Sequence, residues 1–465
     1  MMLLDTGMVI LYLAVLIGIG LKGRVKDVSG FTASDCGYGT FTIFASLSAS
    51  YIGGGYSSGN AAEAYSGGIG MTVALFGFSI STILIGRFLV PGVKQFAGVT
   101  TVGGIIGKAY GRTARVLTGI FSFSCCAGMV GAQMGAIGLV FNVLLGIPPK
   151  LGIIIGCGIV MLYSTSGGLK SVIMADMIQF VMLAIGMPLL LVMALSRLGG
   201  VGALLETLPR EYSNPFNGTT IAGFISLFIT MMFGEALAPP YTQRLLIGKN
   251  PSGTARATIL SGMFSIPFFM ITGMIGMTAY SLNITGEASA AMPALVKSIL
   301  PMGIRGVVMV SMVSIILSAA DGFLNGASVG LVCDTVKVLY PDMSEKAELW
   351  WLRAVNLATG LAAIAVAFIL PNIFNILIFA YSFWSPLILV PLAAAMLGIK
   401  SNGRAFRRAL VAGMASSTVW NYVFLKPWNI DGGGVGMVFN LIVFALSTRE
   451  FHKYQSQKII TLKCR

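Results

Sequence analysis

Hydroxyl-bearing side chains surround three consecutive glycines near the start of the chain. The glycines are Gly53, Gly54 and Gly55, and the hydroxyls belong to Ser46, Ser48, Ser50, Tyr51, Tyr56, Ser57 and Ser58. The stretch lies inside an apolar segment, 39–66, that is long enough to cross a bilayer. Hydrocarbon tolerates an unwound backbone only where it is buried in protein or lines a cavity. The stretch therefore predicts a broken helix that binds a small polar solute and an ion; a helix kink packed on a neighbour is the alternative.

A carboxylate and two prolines form a second candidate site, in the apolar segment 219–243. Pro239 and Pro240 are predicted to break the helical hydrogen bonds at about the same depth as the glycines. Glu235 lies at this break, close to the middle of the membrane. Three roles are open for it: pairing with an amine or guanidinium on a solute, carrying a proton for coupling, or bonding in neutral form to freed backbone amides.

The composition indicates an all-α polytopic membrane protein. Of the 465 residues, 56% are hydrophobic and only 10% are charged. The net charge of +14 falls in short basic clusters between apolar segments, which does not indicate nucleic-acid binding. The single histidine, His452, lies in the C-terminal tail, so histidine-based catalysis and histidine metal sites within the membrane are excluded. An enzyme is not expected, and neither is a bound cofactor.

About thirteen membrane-spanning segments are expected, each near twenty apolar residues. They are 7–23, 40–66, 68–91, 116–142, 150–165, 171–195, 219–243, 256–283, 304–334, 354–371, 373–398, 406–425 and 433–448. If the N-terminus is outside the cell, only six of the 30 Lys and Arg residues fall on the external side: Lys150, Arg197, Arg210, Lys297, Arg305 and Lys426. Basic loops favour the cytoplasm, so the N-terminus is predicted outside and the C-terminus inside a cell membrane.

Ten of these segments divide into two sets of five, each beginning with a broken helix. An odd number of spans per set makes the two sets run in opposite senses, as in an inverted repeat with a central site. The predicted organisation is an extra helix and loop (1–38), a first repeat (39–195), a second repeat (219–398) and two C-terminal helices with a basic tail (399–465). A short helix is also expected in 100–110, and another in 286–303.

Four stretches together resemble the sodium:solute symporter family, and within it the choline-transporter-like members. They are 48–56 with 63–65, 163–179, 240–244, and 317–322 with Asp334. The resemblance covers roughly 40–340 and is weak after about 350. It implies two five-helix inverted repeats, broken first and sixth core helices, and transport by alternating access.

The resemblance also implies sodium ligands, and here the chain departs from the family pattern. The main sodium site would use the backbone carbonyls of Ala49, Ile52 and Ile315 with the hydroxyl of Ser318. Ala319 lacks the second hydroxyl of the family pattern. A second position known in some members matches Asp176, Ser318 and Asp321, and Asp321 supplies an extra carboxylate. We expect coupling through these three residues, with Na⁺ favoured over H⁺. A hydrogen-bonded clamp between helices is the alternative role for Asp176.

The choline-like aromatic cage is only half present. Tyr51 and Phe78 occupy two of its positions, whereas Cys126 and Ala238 stand where tryptophans would be. Because a quaternary ammonium binds over aromatic faces, this argues against choline itself. The expected solute site comprises Tyr51, Gly53, Gly54, Tyr56, Phe78, Glu235 and Ala238.

The sequence thus predicts an ion-coupled symporter that imports a small polar, nitrogen-containing solute. A proton-coupled transporter and a membrane sensor that does not transport are the alternatives. The expected partners are the solute, Na⁺ and the lipid bilayer, with no nucleic acid and no obligate protein partner.

Overall fold

The computed structural model describes residues 3–33, 37–284, 286–369 and 373–463, and this part of the chain folds as helices joined by loops. Nine of its helices are long and apolar enough to cross a membrane. The chain is therefore an integral membrane protein. The end of the predicted segment 354–371 and part of the predicted loop 24–39 lie outside the described residues. The count of thirteen spans and the four-part division stay predictions.

The helices of the first half carry the first predicted break and most of the first predicted repeat. They are α1 (Leu3–Lys22), α2 (Val28–Thr32), α3 (Thr40–Tyr51), α4 (Asn60–Gly67), α5 (Gly70–Leu84), α6 (Val102–Tyr110), α7 (Arg112–Leu145), α8 (Pro149–Leu198) and α9 (Val201–Thr207). Helix α8 is two helices joined at Gly168, whose backbone φ of 56° is left-handed. A side chain there would be strained, which explains why two predicted spans meet at a glycine.

The helices of the second half carry the second predicted break. They are α10 (Ile221–Phe233), α11 (Pro239–Leu246), α12 (Pro251–Ser281), α13 (Ala291–Ile299), α14 (Ile304–Leu331), α15 (Lys337–Leu339), α16 (Glu345–Ile369), α17 (Ile373–Tyr381), α18 (Val390–Met396), α19 (Gly403–Tyr422) and α20 (Gly432–Lys463). Helices α6 and α13 confirm the two short helices expected in 100–110 and 286–303.

Helix α14 is the centre of the molecule. In its most apolar stretch 94% of the residues are buried inside the protein, against 28% for α1 and for α20. It packs against α7, α8, α11 and α3. A helix surrounded in this way exposes almost no surface to lipid, so its polar side chains must find partners within the protein.

The predicted end of the segment 219–243 is wrong. It leaves Arg244 in a loop, whereas Arg244 lies within α11 and its side chain is fully buried. Its hydrogen-bonding partners, described below, lie in the protein interior. Apolar length could not reveal this, because a charged residue that directly follows an apolar segment is typical of a loop.

Candidate functional site

The first break separates α3 from α4. The chain leaves the helix at Ile52, with φ −93° and ψ 89°, and resumes in a π-helical turn over Gly55–Gly59. The freed backbone N–H of Gly54 donates to Oε1 of Gln133 at 2.7 Å. A Cβ placed on Gly53 would lie 2.9 Å from Cβ of Ala319, so the glycine lets the unwound backbone touch α14.

Two backbone carbonyls at this break are left open. Neither Ala49 nor Ile52 has a carbonyl that accepts a hydrogen bond from another described residue outside regular helix. Both residues are fully buried, and Ile315 is buried on the facing helix. Buried carbonyl oxygens without donors are costly unless something replaces water. The arrangement suits a hard cation that seeks oxygen ligands.

The second break covers the residues between α10 and α11, Gly234 to Ala238. Leu237 has a left-handed φ of 55°, and Trp384 donates from Nε1 to the carbonyl of Ala236 at 2.8 Å. The prolines were expected to be the breaking residues. Instead Pro239 begins α11, where its missing N–H has no helical partner to lose, and the break lies just before it.

Glu235 is buried in this break, with 2% of its surface exposed. One carboxylate oxygen, Oε2, has no hydrogen-bond partner in the described structure, and the side chain faces the hydroxyls of Tyr56 and Tyr241. No backbone amide of the described residues donates to its carboxylate, so the hypothesis of a carboxyl bonded to freed amides gains no support. A buried carboxylate with a free oxygen remains able to bind a donor.

Aromatic rings close around Glu235. The ring of Tyr51 lies 4.5 Å from that of Tyr241 and 5.1 Å from that of Phe78, measured between centroids. Tyr56 packs on Phe78 at 5.3 Å, and its hydroxyl lies 2.8 Å from that of Tyr381. The structure thus brings together the aromatic residues that the sequence selected.

A narrow cavity joins the two breaks. Its lining includes Tyr51, Gly53, Tyr56, Glu235 and Ala319. Three other expected solute residues do not line it. Gly54 packs towards Ala136, Phe78 contacts the rings of Tyr51 and Tyr56, and Ala238 precedes α11 as its cap. About 10 Å³ is open to the centre of a water molecule, which is room for roughly one water. The side chains around the cavity leave no room for a solute, so they must move before a solute can enter.

A wider cavity of about 640 Å³ lies on the side predicted to be external. It is lined by Glu63, Lys150 and Glu287 near its mouth and reaches Ser58 and Ala136 beside the first break. Glu63 is exposed, as expected of a vestibule residue.

Asp176 lies beside the first break and has four hydrogen-bond donors. Its Oδ1 accepts from Ser318 at 2.7 Å and from Ser50 at 3.5 Å. Its Oδ2 accepts from Ser46 at 2.5 Å and from the Arg244 guanidinium at 2.8 Å. A carboxylate offers about four lone pairs, so every one of them is used. The ion pair with Arg244 is fully buried on both sides.

Asp321 lies on α14, one turn beyond Ser318, and is also fully buried. Tyr163 donates to its Oδ2 at 2.5 Å, whereas Oδ1 has no partner among the described residues. Asp176 and Asp321 are close enough to interact electrostatically, but the Arg244 guanidinium forms its ion pair with Asp176. Of the three expected coupling residues, Asp176 and Ser318 are in direct contact, and Asp321 is adjacent without bonding to either.

Sequence reasoning missed three residues that hold this site together. Gln133 and Trp384 were not among the predicted site residues, and each bonds a backbone group freed by one break. Arg244 was assigned to a loop. A polar side chain in an apolar span was the available signal for Gln133, because such a group needs a partner in hydrocarbon. Nothing in the sequence distinguishes Trp384 from an ordinary core tryptophan.

Comparison with known proteins gives the same fold and a family. A Na⁺-coupled sialic acid symporter in a substrate-bound outward-open state superposes with a TM-score of 0.81 at 16% identity, covering 96% of this chain and 98% of the other. A nucleobase-cation symporter in a closed conformation superposes with a TM-score of 0.61 at 15% identity, covering 91% and 94%. At these identities the likeness shows the fold.

Three sequence relatives lie at 24–26% identity. Solute carrier family 5 member 4A of Mus musculus is 26% identical over 74% of this chain and 60% of its own length. High affinity choline transporter 1 of Homo sapiens is 25% identical over 71% and 60%, and the sodium/glucose cotransporter of Vibrio parahaemolyticus is 24% identical over 77% and 72%. The chain thus spans about three-fifths of the first relatives it matches. The sequence model of the sodium:solute symporter family matches residues 31–412, and the chain belongs to that family.

Proposed function

We propose that the protein is a sodium-coupled symporter that imports a small, polar, nitrogen-containing solute by alternating access. The observation that carries the proposal is Glu235: a buried carboxylate with one unpartnered oxygen, facing a cavity that joins two helix breaks. Family membership and the likeness to Na⁺-coupled symporters support the coupling.

The solute side of the proposal rests on charge and hydrogen bonding. Glu235 forms no ion pair with any described residue, and the groups that line its cavity are neutral. An ammonium or guanidinium would provide both the missing donor and the missing positive charge. The tyrosine and phenylalanine rings add faces over which a cation is attracted. A sugar would supply donors but leave the buried charge unbalanced.

The ion side rests on the first break. We place Na⁺ at the carbonyls of Ala49, Ile52 and Ile315 with the hydroxyl of Ser318, next to the acidic pair Asp176 and Asp321. The open carbonyls and their burial support this placement. We also propose thirteen spans in two inverted five-helix repeats, in a cell membrane with the N-terminus outside. The two observed breaks, one between α3 and α4 and one between α10 and α11, support this proposal.

Uptake into proteoliposomes tests the solute assignment. Radiolabelled amines, amino acids, sugars and carboxylates are compared in counterflow, with Glu235→Gln beside wild type. A hydrogen bond to a charged group contributes about 1.5–3 kcal/mol, so the half-saturating concentration of the transported amine should rise about tenfold or more in the variant. Glu63→Gln, an exposed vestibule carboxylate, is the matched control and should change it little. Transport of a sugar that is insensitive to Glu235→Gln would refute the assignment, and no counterflow of any solute would favour a sensor.

Uptake against Na⁺ concentration tests the ion assignment. Asp321→Asn should weaken the dependence on Na⁺ more than it changes solute selectivity, whereas Glu235→Gln should do the opposite. Superimposed Na⁺ curves for wild type and Asp321→Asn would show that Asp321 takes no part in coupling. Uptake driven by a proton gradient without Na⁺ would favour the proton-coupled alternative.

Cysteine labelling tests the orientation. Asp342, exposed in the loop after α15, is predicted to be cytoplasmic. A cysteine placed there should react with an impermeant reagent only after the cells are permeabilised. Labelling in intact cells would reverse the topology.

A further inference from the structure

A second cavity lies at the opposite end of the molecule from the vestibule, on the face predicted to be cytoplasmic. It encloses about 420 Å³ between the loop before α6, helix α6 itself and the start of α7. Three basic residues line it: Lys108 on α6, and Arg112 and Arg115 on α7. No acidic residue is among the residues that line it.

The three cations are held in place but not neutralised within the cavity. Lys108 donates to the carbonyl of Ala97 at 3.1 Å, and Arg112 donates to the carbonyl of Val338 at 2.7 Å. Arg115 alone has an acidic partner, Asp334, at 2.9 Å. Each bond uses only part of the donors of its side chain, since an ammonium has three N–H groups and a guanidinium five.

Asp334 lies beside the cavity but does not line it. It is buried and also accepts from the hydroxyl of Thr101 at 2.7 Å and from the backbone N–H of Gly103 at 3.1 Å. These bonds fix the start of α6 and the start of α7 to the cytoplasmic end of the α14 helix. Because Asp334 cancels one of the three positive charges, a surplus of two faces a single concave space.

A basic loop on the cytoplasmic face is expected of any membrane protein, but it is ordinarily spread over solvent. Here the cations surround one void, and like charges so arranged repel each other unless an anion lies between them. Basic pockets on the cytoplasmic side of membrane proteins bind lipid phosphates, and arginine binds phosphate oxygens through paired N–H groups.

We propose that this cavity is a binding site for a phosphate group, held by Lys108 and Arg112 with the free donors of Arg115. The phosphate belongs to an anionic lipid of the inner leaflet or to a small cytoplasmic phosphate. It bridges α6 and α7, which are already joined through Asp334 to the central helix. Binding therefore stabilises the packing of α6 and α7 on this face, independently of which solute the protein transports.

Thermal unfolding of the purified full-length protein tests the site. The melting temperature is measured in detergent against inorganic phosphate at constant ionic strength, and in nanodiscs of phosphatidylcholine with or without phosphatidylglycerol. A saturable rise with phosphate identifies a site open to the free ion, and a rise only with phosphatidylglycerol identifies a lipid headgroup. Either result supports the site, and no saturable rise in either arm overturns it.

Two double variants separate this cavity from general electrostatics. Lys108→Gln with Arg112→Gln should raise the half-saturating phosphate or phosphatidylglycerol concentration about tenfold or more. Lys400→Gln with Arg404→Gln removes the same charge from exposed positions on the same predicted face and should leave it within about twofold. Equal weakening by both pairs would overturn the proposal. If the first pair does not fold, Lys108→Gln alone, which removes one exposed side chain, gives the same comparison against Lys400→Gln.

Discussion

The two helix breaks use the same device for different chemistry. At the first, glycines let an unwound backbone reach α14, and the functional groups are backbone carbonyls. At the second, a left-handed Leu237 turns the chain before the prolines, and the functional group is the Glu235 side chain. Carbonyl dipoles suit a small hard cation, whereas a carboxylate supplies a full charge for a larger donor. The difference supports the proposal that one break serves the ion and the other the solute.

Each break is also held by a side chain from a helix outside the broken pair. Gln133 accepts from the freed N–H of Gly54, and Trp384 donates to the freed carbonyl of Ala236. Arg244, at the end of the second broken helix, donates to Ser46 on the first and to Asp176. The two breaks are therefore separate in chemistry but mechanically joined, and the five variants below test that division.

Gly54→Leu should have the largest effect. A Cβ at this position would already lie 2.8 Å from Cβ of Ala136, and a leucine would fill the space of the unwound segment and restore about 1 kcal/mol of helix propensity. We expect uptake to vanish while the protein still reaches the membrane. Gly67→Ala, at the end of α4 with open space around it, is the control and should transport normally. Normal uptake by Gly54→Leu would mean that the break is only a kink.

Arg244→Gln should have the next largest effect, because its side chain contacts both broken helices. Removing one partner of a buried ion pair costs about 3–5 kcal/mol, because Asp176 is left charged and unpaired. The melting temperature and expression should fall, and the double variant with Asp176→Asn should recover much of the loss. Arg408→Gln breaks an exposed pair with Glu450 and should cost about 0–1 kcal/mol. A stable Arg244→Gln protein without a second change would show that the pair does not join the breaks.

Gln133→Met and Trp384→Phe form a matched pair, one at each break. Each leaves one buried backbone group without its partner, at a cost of about 1–3 kcal/mol. Both should lower the melting temperature by similar amounts. Gln133→Met should mainly raise the half-saturating Na⁺ concentration, and Trp384→Phe the half-saturating solute concentration. If both variants raise the same half-saturating concentration equally, the two breaks do not have separate roles in binding the ion and the solute.

Ala319→Ser should have the smallest effect and the opposite sign. Ala319 lies against Gly53, where the family pattern has a hydroxyl. A serine there adds an oxygen ligand beside the open carbonyls, so we expect the half-saturating Na⁺ concentration to fall about fivefold, equivalent to about 1 kcal/mol. Solute affinity at saturating Na⁺ should change little. An unchanged dependence of uptake on Na⁺ concentration would contradict the placement of Na⁺ at this face of α14.

Much of the architecture follows from local patterns in the sequence. Apolar length predicted the membrane helices, and the glycine triplet predicted the first break, because both effects depend on residues close together in the chain. The acidic break at Glu235 and the tyrosines around it were also selected correctly as neighbours. The second break lies just before Pro239, whereas the sequence predicted it at the prolines. Proline at the start of a helix and proline within a helix look alike in sequence.

The partners of the buried polar groups were decided only by the tertiary structure. Asp176 receives donors from α3, α11 and α14, which lie between 68 and 142 residues away along the chain. Arg244 reads as a loop cation until the fold turns α11 inward, and Asp321 reads as a partner of Asp176 until Tyr163 takes one oxygen and leaves the other free. Burial favours a partner for each such group, but sequence alone does not say which one, because the choice depends on helices brought together by packing.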